Sequence, residues 1–328
     1  MFRRLPSAFR TLVKAVTAAV ALSAAVPLSP AAEAQEQLKF GTVRFVASAP
    51  DMTFLPMLLA AEYGLDKQMG YSSAFTYAAS PIGIKAMIAG DFDFSLSVSS
   101  NLAAAVQGAP VRVVAVHARK SLFSLYGKNE ITSLKELEGQ TVGVSAMGDA
   151  THIATMAAMK AAGVDLSKVT FVALGQANVP AALITGTVSA GLLVPPRELM
   201  AEKTGKFHSL GFMGDYLVVP GMGMATSEDS IKKKSEMVQA VVHAARHAQD
   251  MMRTDKARTS AFMAKLLKLS EEDAQIAWDR LKPHLTEDIS IPADLQQTMM
   301  TNQMQITKPR TQPTIDQVFD MQFAQRAK

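Results

Sequence analysis

An α/β fold built on mainly parallel sheets is predicted by three features of this 328-residue chain. Between Thr53 and Val114, apolar helical stretches alternate with short strand-like runs, and the same alternation starts again after Ser133. Glycine ends the helical stretches, as at Gly64, Gly90 and Gly163. A helix between two strands returns the chain to the same sheet edge, so the strands it joins run parallel.

The first 34 residues read as a targeting segment. Arg3, Arg4, Arg10 and Lys14 precede a 12-residue apolar run from Ala15 to Val26, and Ala32-Glu33-Ala34 offers a small-x-small cleavage site. This is the pattern of a cleavable secretory signal, and the run falls short of the ~20 residues that span a bilayer. The segment also supplies most of the basicity. The whole chain carries 33 basic and 29 acidic residues, net +4; without those four cations and Glu33 it carries 29 and 28, net +1. Nothing in that balance points to nucleic acid. The chain has no cysteine, which excludes disulfides and a lipidated N-terminal cysteine. The 294 residues left after cleavage suit two lobes of ordinary size.

Taken in order, residues 53–64 form a helix, as do residues 80–90, where Ser80 caps and Pro81 takes the first turn. Phe92 to Val98 alternates as a strand, a short helix closes on Gln107-Gly108, and Val111 to Val116 is apolar strand. In the second unit Ser133 and Glu136 make a capping box, Thr141–Val144 is a strand, and 145–149 turns into a helix from Ala150 to about Ala162. A strand spans Lys168 to Leu174, Asn178 caps a helix ending at Gly186, and 189–194 is a strand. From Ser227 onward the chain reads as helical, with one apolar stripe of Val238, Val241, Ala245, Ala248 and Met252. Ser270 and Asp273 start a helix carrying Trp278, the single tryptophan, and 293–306 and 314–325 complete the set.

Four short motifs carry a resemblance: Pro56 in the first helix, Gly64-Leu65-Asp66, Ala89-Gly90-Asp91-Phe92-Asp93, and Gln107 to Val114. Together they resemble the periplasmic substrate-binding proteins of ABC importers, nitrate/sulfonate/taurine type. The resemblance covers residues 38–310 and implies a two-lobe type II fold, each lobe a mainly parallel sheet flanked by helices, joined by two crossing segments. It places the first lobe at 35–119, the second at 120–222 and the mostly helical completion of the first at 223–328, with crossings near 117–126 and 217–226. It implies no cofactor, a small organic solute (sulfonate, taurine-like or carboxylate), ABC permease and ATPase subunits as partners, a monomer, and the periplasm. Alternatives are an aminopyrimidine or other thiamine-precursor-like solute, or a sensor that presents its ligand to a receptor. Relatives usually carry aspartate three residues after each of the glycines Gly90 and Gly186; here Asp93 keeps it and Ser189 does not.

Enzyme motifs are weak. His243 and His247 have metal-ligand spacing, but Ala244, Ala245 and Arg246 lack the glutamate of a zinc protease. Ser145-Ala146-Met147-Gly148-Asp149 is neither a nucleophile elbow nor a phosphate loop. The pyrimidine-precursor synthases of similar fold use a cysteine-rich motif, absent here. Glu271-Glu272 and Lys232-Lys233-Lys234 read as solvated surface, and Met156, Met159, Met251 and Met252 as core filler.

Ligands of open parallel sheets bind beyond the carboxyl ends of the strands, where helix N-termini gather. The candidate ligand-binding residues there are Asp51, Thr53 and Phe54; Ser80; Ser97, Ser99, Ser100 and Asn101; Ser145, Gly148, Asp149, Thr151 and His152; and Gln176 and Asn178. His117 is either a hinge contact or a structural histidine. The hydroxyls and His152 suit an anion, whereas Asp51 and Asp149 either cap helices or meet an amine of the solute.

Overall fold

The computed structural model describes residues 38–147 and 150–327. The expected signal segment and the candidates Gly148 and Asp149 lie outside them. In chain order the strands are β1 (Thr42–Ala47), β2 (Ser72–Tyr77), β3 (Phe94–Ser95), β4 (Val111–Ala118), β5 (Ser124–Lys128), β6 (Thr141–Val144), β7 (Thr170–Ala173), β8 (Ala190–Leu193), β9 (Phe207–Phe212) and β10 (Met222–Ser227). They form two five-stranded sheets, ordered β2-β1-β3-β10-β4 and β7-β6-β8-β5-β9.

Each sheet is mainly parallel with one exception in the same place. β10 runs antiparallel to β3 and β4, and β5 runs antiparallel to β8 and β9. Each of these is the first strand after the chain passes from one sheet to the other. No α-helix intervenes to reverse it, so it enters the sheet against the others. The two passages, 119–123 and 216–221, lie side by side: Gly221 N–H donates to the Ala118 carbonyl at 2.9 Å.

The first lobe carries α1 (Leu55–Glu62), α2 (Leu65–Gln68), α3 (Ser80–Ala89) and α4 (Val98–Val106); the second carries α5 (Ala150–Ala161), α6 (Val179–Ile184) and α7 (Arg197–Glu202). After β10 come α8 (Glu228–Lys233), α9 (Ser235–Thr254), α10 (Lys256–Leu267), α11 (Glu271–Leu281), α12 (Ala293–Thr307) and α13 (Gln322–Arg326). The 20-residue α9 buries the whole expected stripe, Val238 through Met252, against α1 and the first sheet. Across that sheet Phe45 stacks on Phe75 at 5.2 Å and Phe94 at 5.5 Å. Trp278 of α11 donates its indole N–H to the Met252 carbonyl at 2.7 Å, which docks α11 to the end of α9.

Local expectations fail where a neighbour offers a better partner. The strand expected over 92–98 is regular only at Phe94–Ser95, because Val98 already opens α4. Ser80 is the first residue of α3 rather than its cap, and Asn178 donates to the Leu174 carbonyl instead of capping α6. Glu136 reaches back to Thr132 N at 2.9 Å as well as to Ser133, over a single 3-10 turn. The helix expected over 314–325 is two short pieces, Ile315–Gln317 and α13. Lys232 and Lys233 end α8, where the dipole favours them, and Lys234 is bonded to Asp93 at 2.8 Å.

Candidate functional site

β1, β2 and β3 are parallel neighbours, and their registers put Ala47 beside Tyr77 and Val46 beside Ser95. The loops that follow them therefore gather at one edge of the first sheet. In the second sheet β6 is flanked by β7 and β8 in parallel, so the loops after Val144, Ala173 and Leu193 gather likewise. α3 and α4 begin at the first edge with no side chain capping either N-terminus. Pro81 has no N–H, and Ile82 and Val98 donate theirs to the Ala79 and Leu96 carbonyls; the first-turn N–H groups of Ser80, Ser99 and Ser100 remain available to an acceptor.

Asp51 stands at the head of the β1 loop. Its Oδ1 accepts from Thr53 N–H at 3.0 Å and from the Thr53 hydroxyl at 3.3 Å, and its Oδ2 lies 3.8 Å from Nη2 of Arg197. Arg197 follows β8 in the other lobe, directly after Pro195-Pro196, and its Nη1 donates to the Gln176 carbonyl at 3.0 Å. One guanidinium thus joins the β7 and β8 loops to the β1 loop. The candidate list lacked Arg197, although a cation just past a parallel strand was visible in the sequence. It also lacked three exposed apolar side chains near these loops: Tyr77 at the end of β2, 45% exposed, Ile82 in the first turn of α3, 65%, and Met147 after β6, 58%.

The remaining candidates divide. Ser80, Ser97 and Ser100 are half-buried at the first edge, and Ser145 is half-buried at the second. Ser99 turns away to donate to the Pro220 carbonyl at 2.6 Å, which ties α4 to the second passage. Asn101 is fully buried behind the loop, donating to Ser95 Oγ and the Ser97 carbonyl. Phe54 belongs to the core of the first lobe. Thr151 uses its hydroxyl to accept from Ser145 N–H at 3.0 Å, and His152 is buried edge-on against Phe171. Gln176 is half-buried and donates to the Leu192 carbonyl; Asn178 is exposed.

His117 is a structural histidine. It is buried in β4, with Nδ1 3.0 Å from Oε1 of Gln249, and burial pushes its pKa down to about 4. His243 reaches the Arg326 carbonyl and His247 is exposed on α9. Among the described residues no cluster of His, Cys, Asp and Glu could hold a metal ion, and no helix is long and apolar enough to cross a membrane.

α7 also ties the lobes together. Arg280 of α11 binds Glu202 of α7 through two bonds, at 3.0 and 2.7 Å, and reaches Glu198 at 3.4 Å. Tyr126 donates its hydroxyl to Glu202. Val194 and Leu199, at either side of Arg197, pack into the first lobe's core.

Residues 52–258 match the family model described as NMT1/THI5 like. The chain belongs to the NMT1/THI5-like family. No curated protein sequence matches it. This NMT1/THI5-like chain is similar in structure to the periplasmic aliphatic sulphonate binding protein SsuA from Escherichia coli, with TM-score 0.70 and 18% identity over 85% of this chain and 97% of that one. It is similar to the alkanesulfonate-binding protein SsuA from Xanthomonas axonopodis pv. citri bound to MOPS, with TM-score 0.69 and 16% identity over 87% and 97%. The desulfurization enzyme DSZB has TM-score 0.64 and 13% identity over 88% and 98%. At these identities the likeness establishes the fold: the two-lobe α/β architecture of periplasmic binding proteins. An enzyme and binding proteins share it.

Proposed function

We propose that this protein is the solute-binding component of an ABC importer. It is exported by cleavage before Gln35, works as a monomer in the periplasm, and captures a small organic solute between a lobe of residues 35–119 with 223–328 and a lobe of residues 120–222. The solute is a sulfonate, a taurine-like compound or a carboxylate, delivered unchanged to a permease driven by an ATPase. The observation that carries this reading is the meeting of strand-end loops from both lobes at Asp51 and Arg197. Contacts from both lobes bias an open–closed equilibrium toward closure, which is how a two-lobe carrier traps its cargo. The uncapped starts of α3 and α4 and the Arg197 guanidinium suit an oxyanion, and Tyr77, Ile82 and Met147 offer apolar surface for its remainder.

A thermal-shift screen tests the reading. A solute at a hundredfold excess over its Kd stabilises the folded protein by about 2.7 kcal/mol. For a chain of this size that raises the melting temperature by roughly 5–10 °C. Taurine, alkyl and aryl sulfonates, nitrate, aromatic carboxylates and aminopyrimidines should yield one responsive class, recovered chemically intact. Conversion of the hit contradicts the carrier reading, and a response confined to aminopyrimidines moves the solute to that alternative class. Intact mass of exported protein should show the loss of residues 1–34.

A further inference from the structure

Arg197 is held in a way that leaves it work to do. Its Nη1 donates to the Gln176 carbonyl at 3.0 Å, which fixes the guanidinium plane. Nη2 faces Asp51 Oδ2 at 3.8 Å, beyond hydrogen-bond reach, and neither Nη2 nor Nε bonds any described residue. On the other side, Asp51 spends Oδ1 on Thr53 and keeps Oδ2 toward the cation. Both side chains are largely shielded, with 25% of Arg197 and 13% of Asp51 exposed. An arginine and a carboxylate that form an optimised pair meet fork to fork at about 2.8 Å. These two neutralise one another across the lobes without closing that geometry, so an oxyanion able to take two N–H groups at bonding distance competes favourably.

We propose that Arg197 is the anion anchor of the cleft, and that Asp51 is its internal counter-ion, replaced when the head group of the solute arrives. The inference deepens the carrier reading and rests on it. It narrows the solute to a compound with a carboxylate or sulfonate head, because a neutral head brings no charge to exchange for that of Asp51. It also gives Asp51 a role opposite to that of an amine-binding group: it raises the threshold for binding instead of contributing to it. Gln176 acts as a positioning residue, through its carbonyl.

Calorimetric titration of the full chain with methanesulfonate, 1-hexanesulfonate, hexanoate and benzoate tests this, with 1-hexanol and hexylamine as neutral and cationic counterparts. At least one anion should bind and both counterparts should not. Asp51→Asn should bind that anion about tenfold more tightly and Arg197→Gln at least tenfold more weakly. In the double variant the gain from Asp51→Asn should vanish. Should Arg197→Gln fail to fold, as judged by circular dichroism, Asp51→Asn alone decides: equal or weaker anion binding overturns the proposal. Binding of only hexylamine or 1-hexanol leaves the carrier reading standing and overturns the anion anchor. Binding of no solute, either here or in the broader screen, overturns both.

Discussion

Gly221 lies so close to Lys120 that a β-carbon on it would sit 2.1 Å from the Lys120 carbonyl oxygen. The two residues belong to the two passages between the lobes, which touch backbone to backbone. Gly223, just beyond, would bring a β-carbon to 2.4 Å from the Ala115 carbonyl oxygen. The two stretches of chain thus meet backbone to backbone and leave no room for a side chain at Gly221.

Gly221→Ala should therefore destabilise the protein and splay the passages. The obstructing atom is backbone, so no rotamer change relieves it. A loss of about 2 kcal/mol or more is expected from overpacking of this kind, seen as a fall in melting temperature of roughly 4–8 °C. An unchanged melting temperature would show that the passages separate at no cost.

Glu198 should make stability depend on pH. Burial pushes its carboxyl up to about 7; the Glu202 charge adds to the rise and Arg280 offsets only part of it. In the unfolded chain this carboxyl titrates near its ordinary value of 4.5. Between those values the folded protein holds a proton that the unfolded chain has released. Its contribution is thus greatest below about pH 4.5 and declines as pH rises to about 7. Glu198→Gln should be more stable than the parent at pH 8, by up to about 3 kcal/mol, with the difference closing toward pH 5. Parallel denaturant titrations at the two pH values check the sign.

His117 acts in the opposite direction. It stays neutral in the folded protein down to about pH 4, so stability is lost as pH falls from 6.5 toward 4. Its ring signals in NMR should show no protonation above about pH 5. Gln249 accepts from its Nδ1–H and donates to the carbonyls of His117 and Thr286. Gln249→Ala should cost roughly 3 kcal/mol, since it strands these buried groups and opens a cavity.

The architecture was legible because it rests on periodicity. The α9 stripe, the glycine stops and the alternation of helix and strand all reflect which face must be buried, and all appear in the structure. The two reversed strands were not legible, since β5 and β10 gain their direction from the path between lobes and not from any local pattern. Site residues fared unevenly for a related reason. Asp51 and Thr53 were visible as polar residues past a strand. Phe54 lies in the turn into α1, Asn101 in the first turn of α4 and His117 near the end of β4, yet all three side chains turn inward, and a single sequence does not reveal that direction. Arg197 was overlooked because its role depends on Asp51, a residue of the other lobe. Likewise Lys234 has no local sign of its partner, since Asp93 lies far away in the sequence.

The measurement that bears most directly on the account is the distance between lobes with and without solute. The chain has no cysteine, so Lys85→Cys on α3 and Lys160→Cys on α5 allow spin labels to be placed one per lobe without background. The solute giving the largest thermal shift should move the distance distribution to a shorter, narrower population at saturation and be recovered unchanged. The same distribution with and without saturating solute would contradict capture by closure between the lobes.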